Sequence, residues 1–152
     1  MEIKETYKGL RKKYDLPDFE TLDRDFEASS IEEDRFLLRE IRKKIVEKIE
    51  FYSKILEDIV QPEATVTSMH ECKAFEENEK EQVYAVYMRM MAAHRKSITL
   101  SLEDGEPNEA KFIKEFTIAW KDIKPELIKI IKKLEESWKK DTEFKEELGY
   151  LG

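Results

Sequence analysis

SIEEDRFLLREIRKKIVEKIEFYSKILEDIVQP, residues 30–62, has the pattern of one amphipathic helix and determines the fold that we predict. Ser30 is followed three residues later by Glu33, which is the spacing of a capping box, and Pro62 cannot continue a helix. We therefore predict a central helix over residues 30–61, about 45 Å long at ~1.5 Å per residue, with other long helices beside it. Its apolar residues recur every three or four positions and form one stripe: Leu38, Ile41, Ile45, Ile49, Tyr52, Leu56 and Ile59.

Two short helices are predicted before this central helix, within residues 1–29. Apolar residues at helical spacing mark both of them, and Pro17 between them is well placed for a first helical turn. Phe36 and Phe51 project away from the main stripe of the central helix, so we expect the two short helices to cover these rings. The marking residues are Ile3, Tyr7, Leu10 and Tyr14 in the first helix, and Phe19, Leu22 and Phe26 in the second.

Two more long helices are predicted in the rest of the chain. Residues 61–75 show no helical period and are predicted as a long loop, a length that is uncommon in a compact bundle unless the loop is functional. A helix is predicted over 76–102 and another over 108–140, with a kink at Pro125. The predicted apolar stripe of the first of these helices contains Val83, Tyr84, Tyr87, Met90, Met91, His94 and Ile98.

The predicted fold class is all-α. We expect one domain over residues 1–152, built as an antiparallel bundle of three long helices with two short N-terminal helices packed alongside. Residues 141–152 are assigned to a C-terminal tail. The composition agrees with this architecture, because charged residues make up 41 % of the chain while glycine and proline number only four each.

Composition also predicts a cytoplasmic protein. The single cysteine, Cys72, has no partner for an internal disulfide, and no N-terminal apolar run has the pattern of a signal peptide or membrane span. The net charge of −7 disfavours wrapping of the whole molecule around nucleic acid or an anionic membrane. The scarcity of asparagine and glutamine beside many charged residues is typical of proteins from hot environments and suggests a thermophilic archaeal source.

The usual catalytic motifs are absent from the sequence, and we predict a non-enzymatic protein without cofactors. There is no phosphate-cradling glycine loop, no His-Glu-x-x-His and no Cys-x-x-Cys. His70, Cys72 and His94 are the only cluster of soft ligands, and they would bind a metal if the 61–75 loop folded back across the bundle. The alternative is that His70 lies at the surface, that Cys72 is a small buried hydrophobe, and that His94 is a hydrogen-bonded core residue.

Arg35, Arg39 and Arg42 lie on one flank of the predicted central helix. Arginines in a row bind phosphate bidentately, so this flank is the candidate contact for nucleic acid, a ribonucleoprotein or another anion. The alternative is that the arginines pair with acidic residues on the same or a neighbouring helix. That alternative is favoured by the negative net charge and by the lack of aromatic residues interleaved with the arginines.

Two apolar segments are candidates for contact with a partner. The first is the predicted loop, with Val66 and Met69, and the second is the tail, with Phe144, Leu148, Tyr150 and Leu151. Our leading prediction is therefore an interaction or scaffold subunit that binds another protein or a second copy of itself. The first alternative is a helical factor that docks on nucleic acid or a ribonucleoprotein, and the second is a metal-binding domain.

One resemblance adds weight to a scaffold role. Leu16-Pro17-Asp18-Phe19, the basic helix FLLREIRKKIVEKI and Phe75-Glu76-Glu77 follow one another in the order seen in the helical domain of archaeal GINS replication subunits, which residues 3–95 resemble. The resemblance implies a subunit of a nucleic-acid-processing assembly. The small β-domain of GINS subunits has no counterpart here, because the sequence after Pro107 predicts a helix.

Overall fold

The computed structural model describes residues 2–103 and 105–139, and every regular element in this part of the chain is a helix. The three long helices pack against each other and two short helices precede them, which confirms the predicted all-α bundle. In chain order the helices are α1 (Glu2–Tyr14), α2 (Phe19–Phe26), α3 (Leu37–Val60), α4 (Val66–Lys73), α5 (Glu77–Leu102) and α6 (Glu106–Ser137), with a 3₁₀ turn at Ala28–Ser30.

The chain forms two compact units. In the described part, the first unit contains residues 2–52 and 90–121, and the second contains residues 53–89 and 122–139. The first unit thus combines α1, α2 and the start of α3 with the end of α5 and the start of α6. Within it α5 runs opposite to α3 and α6, as expected for an antiparallel bundle. That the chain is a single domain stays a prediction.

The core of the first unit is built from the apolar stripes that the sequence shows. On α3 the side chains of Leu38, Ile41, Ile45 and Ile49 are at most 2 % exposed, as predicted. The two short helices contribute buried aromatic rings, and the centroid of Phe26 lies 5.3 Å from that of Trp120 on α6. Burial of aromatic rings of this size against aliphatic side chains is a large apolar contribution to stability.

The second unit has its own core. It combines Leu56 and Ile59 of α3 with Val83 of α5 and with the later stripe of α6, all of them buried. Pro125 lies inside α6, which continues as one helix from Glu106 to Ser137, so the prediction of a single helix through this proline is confirmed. The kink stays a prediction. The buried residues of α6 in this unit are Ile123, Leu127, Ile130 and Leu134.

The predicted start of the central helix is wrong. α3 begins at Leu37, and Ser30 belongs to the 3₁₀ turn, where its hydroxyl donates to the carbonyl oxygen of Glu27 at 2.7 Å. No capping box forms, because the backbone leaves the helical region at Phe36, whose φ is 54°. The six residues between the 3₁₀ turn and α3 therefore form an irregular connection.

The interval 61–75 is not a long loop, because it contains the helix α4. Thr65 is the N-cap of this helix, and its hydroxyl accepts a hydrogen bond from the backbone N–H of Ser68 at 3.1 Å. Ser68 and His70 face inward and are buried. A helix of eight residues with polar residues on its buried side has no apolar period that the sequence could show.

The predicted buried face of α5 is partly wrong. Val83 and Met90 are buried as expected, but Tyr84 and Ile98 are each 48 % exposed. The positions that are buried instead are Val86, Ser97 and Leu100. The buried face therefore shares Val83 and Met90 with the predicted stripe, and it includes Ser97, which a search for apolar residues alone does not find.

Phe36 and Phe51 are not covered by the short helices, contrary to the prediction. Their side chains are 58 % and 61 % exposed. The two short helices pack elsewhere in the first unit, where Tyr7, Leu22 and Phe26 are almost completely buried. Both rings therefore lie at the surface, and their exposure needs another explanation.

Candidate functional site

The irregular connection between the 3₁₀ turn and α3 presents polar side chains at the surface. Glu32, Glu33, Asp34 and Arg35 are all exposed, and only Ile31 is buried. The hydroxyl of Thr6 on α1 donates to Oδ2 of Asp34 at 2.7 Å. The connection is thus attached to α1 and to the core at defined points.

Phe36 is the last residue of this connection and has an unusual backbone conformation. Its φ of 54° is in the left-handed region, which is costly for a residue with a large side chain. Asp15 and Glu27 also have a positive φ, but they follow the last residues of α1 and α2, where a left-handed residue is common. Phe36 instead precedes the first residue of α3, where extended backbone is the rule.

Two arginines stack on the ring of Phe36. The guanidinium carbon of Arg39 lies 4.4 Å from the ring centroid, and that of Arg35 lies 5.2 Å from it. Within residues 2–103 and 105–139 neither arginine takes part in an ion pair. A guanidinium stacked on an aromatic ring keeps its N–H groups available for a carboxylate. We call Arg35, Phe36 and Arg39 together the Phe36 surface.

Two shallow grooves adjoin the connection. The arginine groove has a volume of about 390 Å³ and is lined by Ser30, Ile31, Glu32, Glu33, Arg35, Phe36, Glu40 and Lys44. The lysine groove has a volume of about 370 Å³ and is lined by Glu2, Ile3, Lys4, Phe19, Ser29, Ile31 and Glu32. Both grooves lie within the first unit.

A carboxylate fixes the 3₁₀ turn beside the lysine groove. Oδ1 of Asp23 accepts a hydrogen bond from the backbone N–H of Ser29 at 2.8 Å. Hydrogen bonds from Ser29 favour the charged carboxylate and hold the pKa of Asp23 below its usual value of 3.8. The turn therefore has a defined anchor at neutral pH.

Arg42 does not belong to the surface row that the sequence suggested. It is 2 % exposed, and its Nε donates to Oε2 of Glu109 at 2.5 Å. A terminal nitrogen of the same guanidinium donates to the carbonyl oxygen and to the hydroxyl of Ser97, at 3.0 Å and 2.6 Å. Of the three candidate arginines, Arg35 is thus exposed and Arg39 half-buried, while Arg42 is a buried structural residue.

The candidate metal ligands have other contacts. His70 is buried, and its Nε2 lies 3.2 Å from the carbonyl oxygen of Ser137. Its ring packs against that of Trp138 with the centroids 3.9 Å apart and the planes tilted by 31°. Nε2 of His94 lies 3.1 Å from Oε2 of Glu50. Cys72 is a partly buried free thiol. In the described ranges, no three His, Cys, Asp or Glu side chains come together as a metal site would require.

Of the residues predicted to bind a partner, two lie in the described part of the chain and four lie outside it. Val66 is 52 % exposed and Met69 is 41 % exposed, so both lie on the outer side of α4 as a contact surface would require. The tail candidates Phe144, Leu148, Tyr150 and Leu151 lie outside the described residues.

The sequence interpretation did not identify Phe36 as part of a site. It treated the arginines as lacking interleaved aromatic residues, although Phe36 directly follows Arg35 and precedes Arg39 by three positions. That spacing was the available signal, since residues three apart on a helix lie on neighbouring positions of its surface. The left-handed backbone that separates Phe36 from the core had no sequence signal.

Comparisons with known proteins do not add a family. No protein-family model, no curated protein and no solved structure matches this chain. The resemblance to GINS subunits therefore rests on the quoted motifs alone. Among the helices that the structure describes, none is both long enough and apolar enough to span a membrane.

Proposed function

We propose that this chain is a non-enzymatic cytoplasmic subunit that binds another protein, and that the Phe36 surface is the centre of the contact. The observation that carries the proposal is Phe36 itself, a large aromatic side chain that is 58 % exposed on a left-handed backbone. Within the described residues, the ring does not gain enough burial to offset the cost of its left-handed backbone. Residues held in costly backbone conformations cluster at binding sites, where a partner uses the side chain that the backbone presents.

The composition of the surface supports a protein partner. Aromatic and arginine side chains dominate the few residues that carry most of the binding energy in protein interfaces. Here one aromatic ring lies between two arginines that have no carboxylate partner in the part of the chain that the structure describes. A partner that covers the ring and supplies acceptors to the arginines would satisfy all three side chains.

Nucleic acid fits the same surface less well. Arg42 is buried against Glu109, so the row is reduced to Arg35, which is exposed, and Arg39, which is half-buried. Glu32 and Glu33 line the same groove as Arg35. A run of phosphates would meet those carboxylates as well as the arginines, and like charges repel.

The test compares two equally exposed phenylalanines. Phe36→Asn removes the ring at a position where asparagine tolerates the left-handed backbone, and Phe51→Asn removes a ring that is 61 % exposed on α3. The native chain and both variants are cross-linked in nuclease-treated and untreated extracts of the source cells, and captured proteins are identified by mass spectrometry. We expect one set of proteins to be captured by the native chain and by Phe51→Asn, with or without nuclease, and to be lost with Phe36→Asn.

Other outcomes would contradict the proposal. Capture that is unchanged by Phe36→Asn would place the contact elsewhere, and Val66 and Met69 would be the next residues to replace. Loss of capture after nuclease treatment would favour the nucleic-acid alternative. Capture of the chain by itself would identify a homo-oligomer, which sedimentation of the purified protein measures directly.

A further inference from the structure

The outward side of α5 carries apolar side chains in addition to those that enter the core. Leu102 is 86 % exposed and Met88 is 55 % exposed, and Tyr84 and Ile98 are exposed as well. A helix that is apolar on two sides normally has a neighbour on each of them. The exposure of these four side chains shows that the described part of the chain leaves the outward side uncovered.

The outward residues have the spacing of a contact between two helices. Steps of four and three residues alternate along α5, which places the side chains in one stripe and, in a coiled coil, against a second helix. All these positions belong to one continuous helix, so their alignment follows from helix geometry alone. We call this stripe the α5 seam, and it consists of Tyr84, Met88, the half-buried Met91, Arg95, Ile98 and Leu102.

Arg95 is the one charged residue of the seam, and its guanidinium is directed to one side. A terminal nitrogen of this group lies 2.7 Å from Nδ1 of His94. Nε2 of the same imidazole lies 3.1 Å from Oε2 of Glu50 on α3. A single polar residue in a seam of this kind fixes the register and the number of helices, at some cost in stability. Arg95 is thus compatible with a pair of helices.

The two flanks of the seam carry opposite charges in the first unit. His94 precedes Arg95 and lies on one flank, by the ~100° step between successive helical residues. The Glu50 side chain that contacts this histidine is 60 % exposed. Lys96 follows Arg95 and lies on the other flank, where it is exposed and takes part in no ion pair within residues 2–103 and 105–139. One flank is therefore anionic and the other cationic.

The second unit repeats this arrangement on the same helix. The hydroxyl of Tyr87 donates to Oε1 of Glu57 on α3 at 3.2 Å, on the anionic flank. Arg89 lies on the cationic flank, where it pairs with Asp122 at 3.8 Å. Seven residues separate Tyr87 and Arg89 from their equivalents in the first unit, so each flank continues along the helix.

We propose that the α5 seam is the interface between two copies of this chain, with their α5 helices parallel and in register. The argument for a second copy is charge complementarity. In a parallel pair related by a two-fold axis, the flank that carries Lys96 meets the flank of the other copy that carries Glu50, and this contact forms twice. The inference goes beyond the proposed function and does not depend on Phe36.

In this register each seam residue faces its own counterpart. The two copies of Arg95 therefore face each other, and each guanidinium is drawn aside by His94 of its own chain. The apolar contact extends from Tyr84 to Leu102, about 27 Å at ~1.5 Å per residue. Ala85 and Ala92 lie between the seam and the cationic flank, are exposed, and leave room for the second copy to approach.

Other occupants match the flanks less well. An antiparallel pair would bring like flanks together, so that Lys96 of one copy would approach the cationic flank of the other and Glu50 the anionic flank. An anionic membrane would meet Glu50 and Glu57 beside the seam. The parallel pair alone brings unlike charges together on both sides.

Sedimentation equilibrium of the purified full chain measures this association, and we expect a monomer–dimer equilibrium. Ile98→Ser should weaken the dimer about tenfold or more, because it removes an apolar side chain from both copies at once. Ile118→Ser is the matched control. Ile118 is 66 % exposed on α6 of the same unit and lies outside the seam, so this variant should dimerise as the native chain does.

A charge exchange tests the flanks with exposed residues. Lys96→Glu and Glu50→Lys should each weaken the dimer, because each brings like charges together where the flanks meet. The double variant should regain most of the lost affinity, because the opposite charges are then exchanged between the flanks. Circular dichroism checks that each variant keeps the helical content of the native chain.

A disulfide tests the direction of the pair. In a Cys72→Ser background, Ile98→Cys places a thiol at a seam position that faces its own counterpart in the parallel pair. Oxidation should therefore give a covalent dimer. In an antiparallel pair centred on the seam, the same position faces Met88 of the other copy, and no covalent dimer would form.

The inference is overturned if the native chain sediments as a monomer at every concentration, if Ile98→Ser and Ile118→Ser weaken the dimer equally, or if the charge exchange restores nothing. A monomer that binds phosphatidylserine vesicles, and loses this binding with Ile98→Ser, would assign the seam to a lipid surface and also overturn it.

Failure of the seam and failure of the proposed function are separable. Phe36→Asn should leave the dimer intact, because Phe36 lies outside the seam. Capture of the chain by its own copies that persists in this variant therefore belongs to the seam. Capture of other proteins that is lost in this variant belongs to the Phe36 surface.

Discussion

The guanidinium of Arg42 on α3 binds the carboxylate of Glu109 on α6 inside the first unit, with Nε and Oε2 2.5 Å apart and side-chain exposures of 3 % and 10 %. Arg42 also donates to the side chains of Ser97 and Ser101 on α5. One guanidinium thus links three helices. The buried charge is compensated by a carboxylate and by hydroxyl acceptors, which is the condition for placing an arginine in a core.

Removal of one partner should be costly. Arg42→Met leaves the Glu109 carboxylate buried without its cation, and we expect the free energy of unfolding to fall by about 3–5 kcal/mol. Glu109→Leu should have a similar effect for the opposite charge. The double variant should cost clearly less than the sum of the two, because no buried charge is left unpaired. Urea unfolding followed by circular dichroism measures all three, and additive costs would contradict the buried pair.

Phe36 should contribute little to stability. Its ring is 58 % exposed, and Phe36→Asn exchanges two exposed cation–π contacts for relief of a left-handed backbone at a bulky residue. These effects are of similar size and opposite sign, so we expect the free energy of unfolding to change by no more than about 1 kcal/mol.

The control for Phe36 is a ring in the core. Phe26 is 1 % exposed, and Phe26→Ala should cost about 3–5 kcal/mol in the same urea titration. A loss of that size in the Phe36 variant would show that the ring supports the fold. In that case the exposed ring would need no partner to explain it.

The central apolar stripes were predictable from the sequence because they repeat with the period of a helix. Leu38, Ile41, Ile45 and Ile49 are buried as expected, and α6 continues through Pro125 in the same apolar phase. Nothing in that reasoning requires knowledge of the neighbouring helices. The fold class follows from the pattern of each long helix taken alone.

The buried polar residues were not predictable in this way. Arg42 and Glu109 are 67 positions apart, and their pairing depends on the packing of two helices. Burial of Ser97 follows from the same contact, because Arg42 donates to it, and this polar position is not part of the predicted apolar stripe of α5. Such polar contacts leave no period in the sequence.

The candidate site depends on one backbone angle. Phe36 is exposed because the chain enters α3 with a φ of 54° at this residue, and the capping box predicted for Ser30 and Glu33 does not form. Sequence propensities describe the average residue, whereas a bulky left-handed residue is an exception to them. The arginines were found from the sequence, but their stacking on Phe36 required the structure.

The contact between His70 and Trp138 should be structural and independent of metal. His70→Ala removes a buried ring that packs against Trp138 and approaches the carbonyl oxygen of Ser137, so we expect the free energy of unfolding to fall by about 1–3 kcal/mol. Trp138 also donates to Oε2 of Glu71 at 2.9 Å, and its fluorescence should shift to the red when α4 loosens.

Addition of zinc tests whether His70 is a metal ligand rather than a structural residue. If this residue acts only through its ring contacts, added zinc should leave the thermal midpoint of the native chain and of His70→Ala unchanged. Stabilisation of the native chain alone would revive the metal alternative with His70, Cys72 and His94. Cys72→Ser is the matched variant, since it removes a soft ligand and leaves the ring of His70 in place.

Stability should fall on the acid side of pH 4 or so, because several carboxylates have a lowered pKa in the folded chain. Hydrogen bonds from Ser29 lower the pKa of Asp23 from 3.8, and those from the backbone N–H of Glu76 and from Lys133 lower the pKa of Glu79 from 4.5. A lowered pKa means that the unfolded chain binds the proton more tightly. The stabilisation is therefore complete above these ordinary values and is lost as the pH falls through the lowered folded values.

The matched variant for this pH dependence is Asp23→Asn. Asparagine retains an acceptor for the backbone N–H of Ser29 but does not titrate, so the unfolding free energy of the variant should depend less on pH below the ordinary value of 3.8. Urea titrations at a series of acidic pH values measure both slopes. Equal slopes would show that the pKa of Asp23 is the same in the folded and unfolded chains. The hydrogen bond from Ser29 would then fix the 3₁₀ turn without making the stability depend on pH.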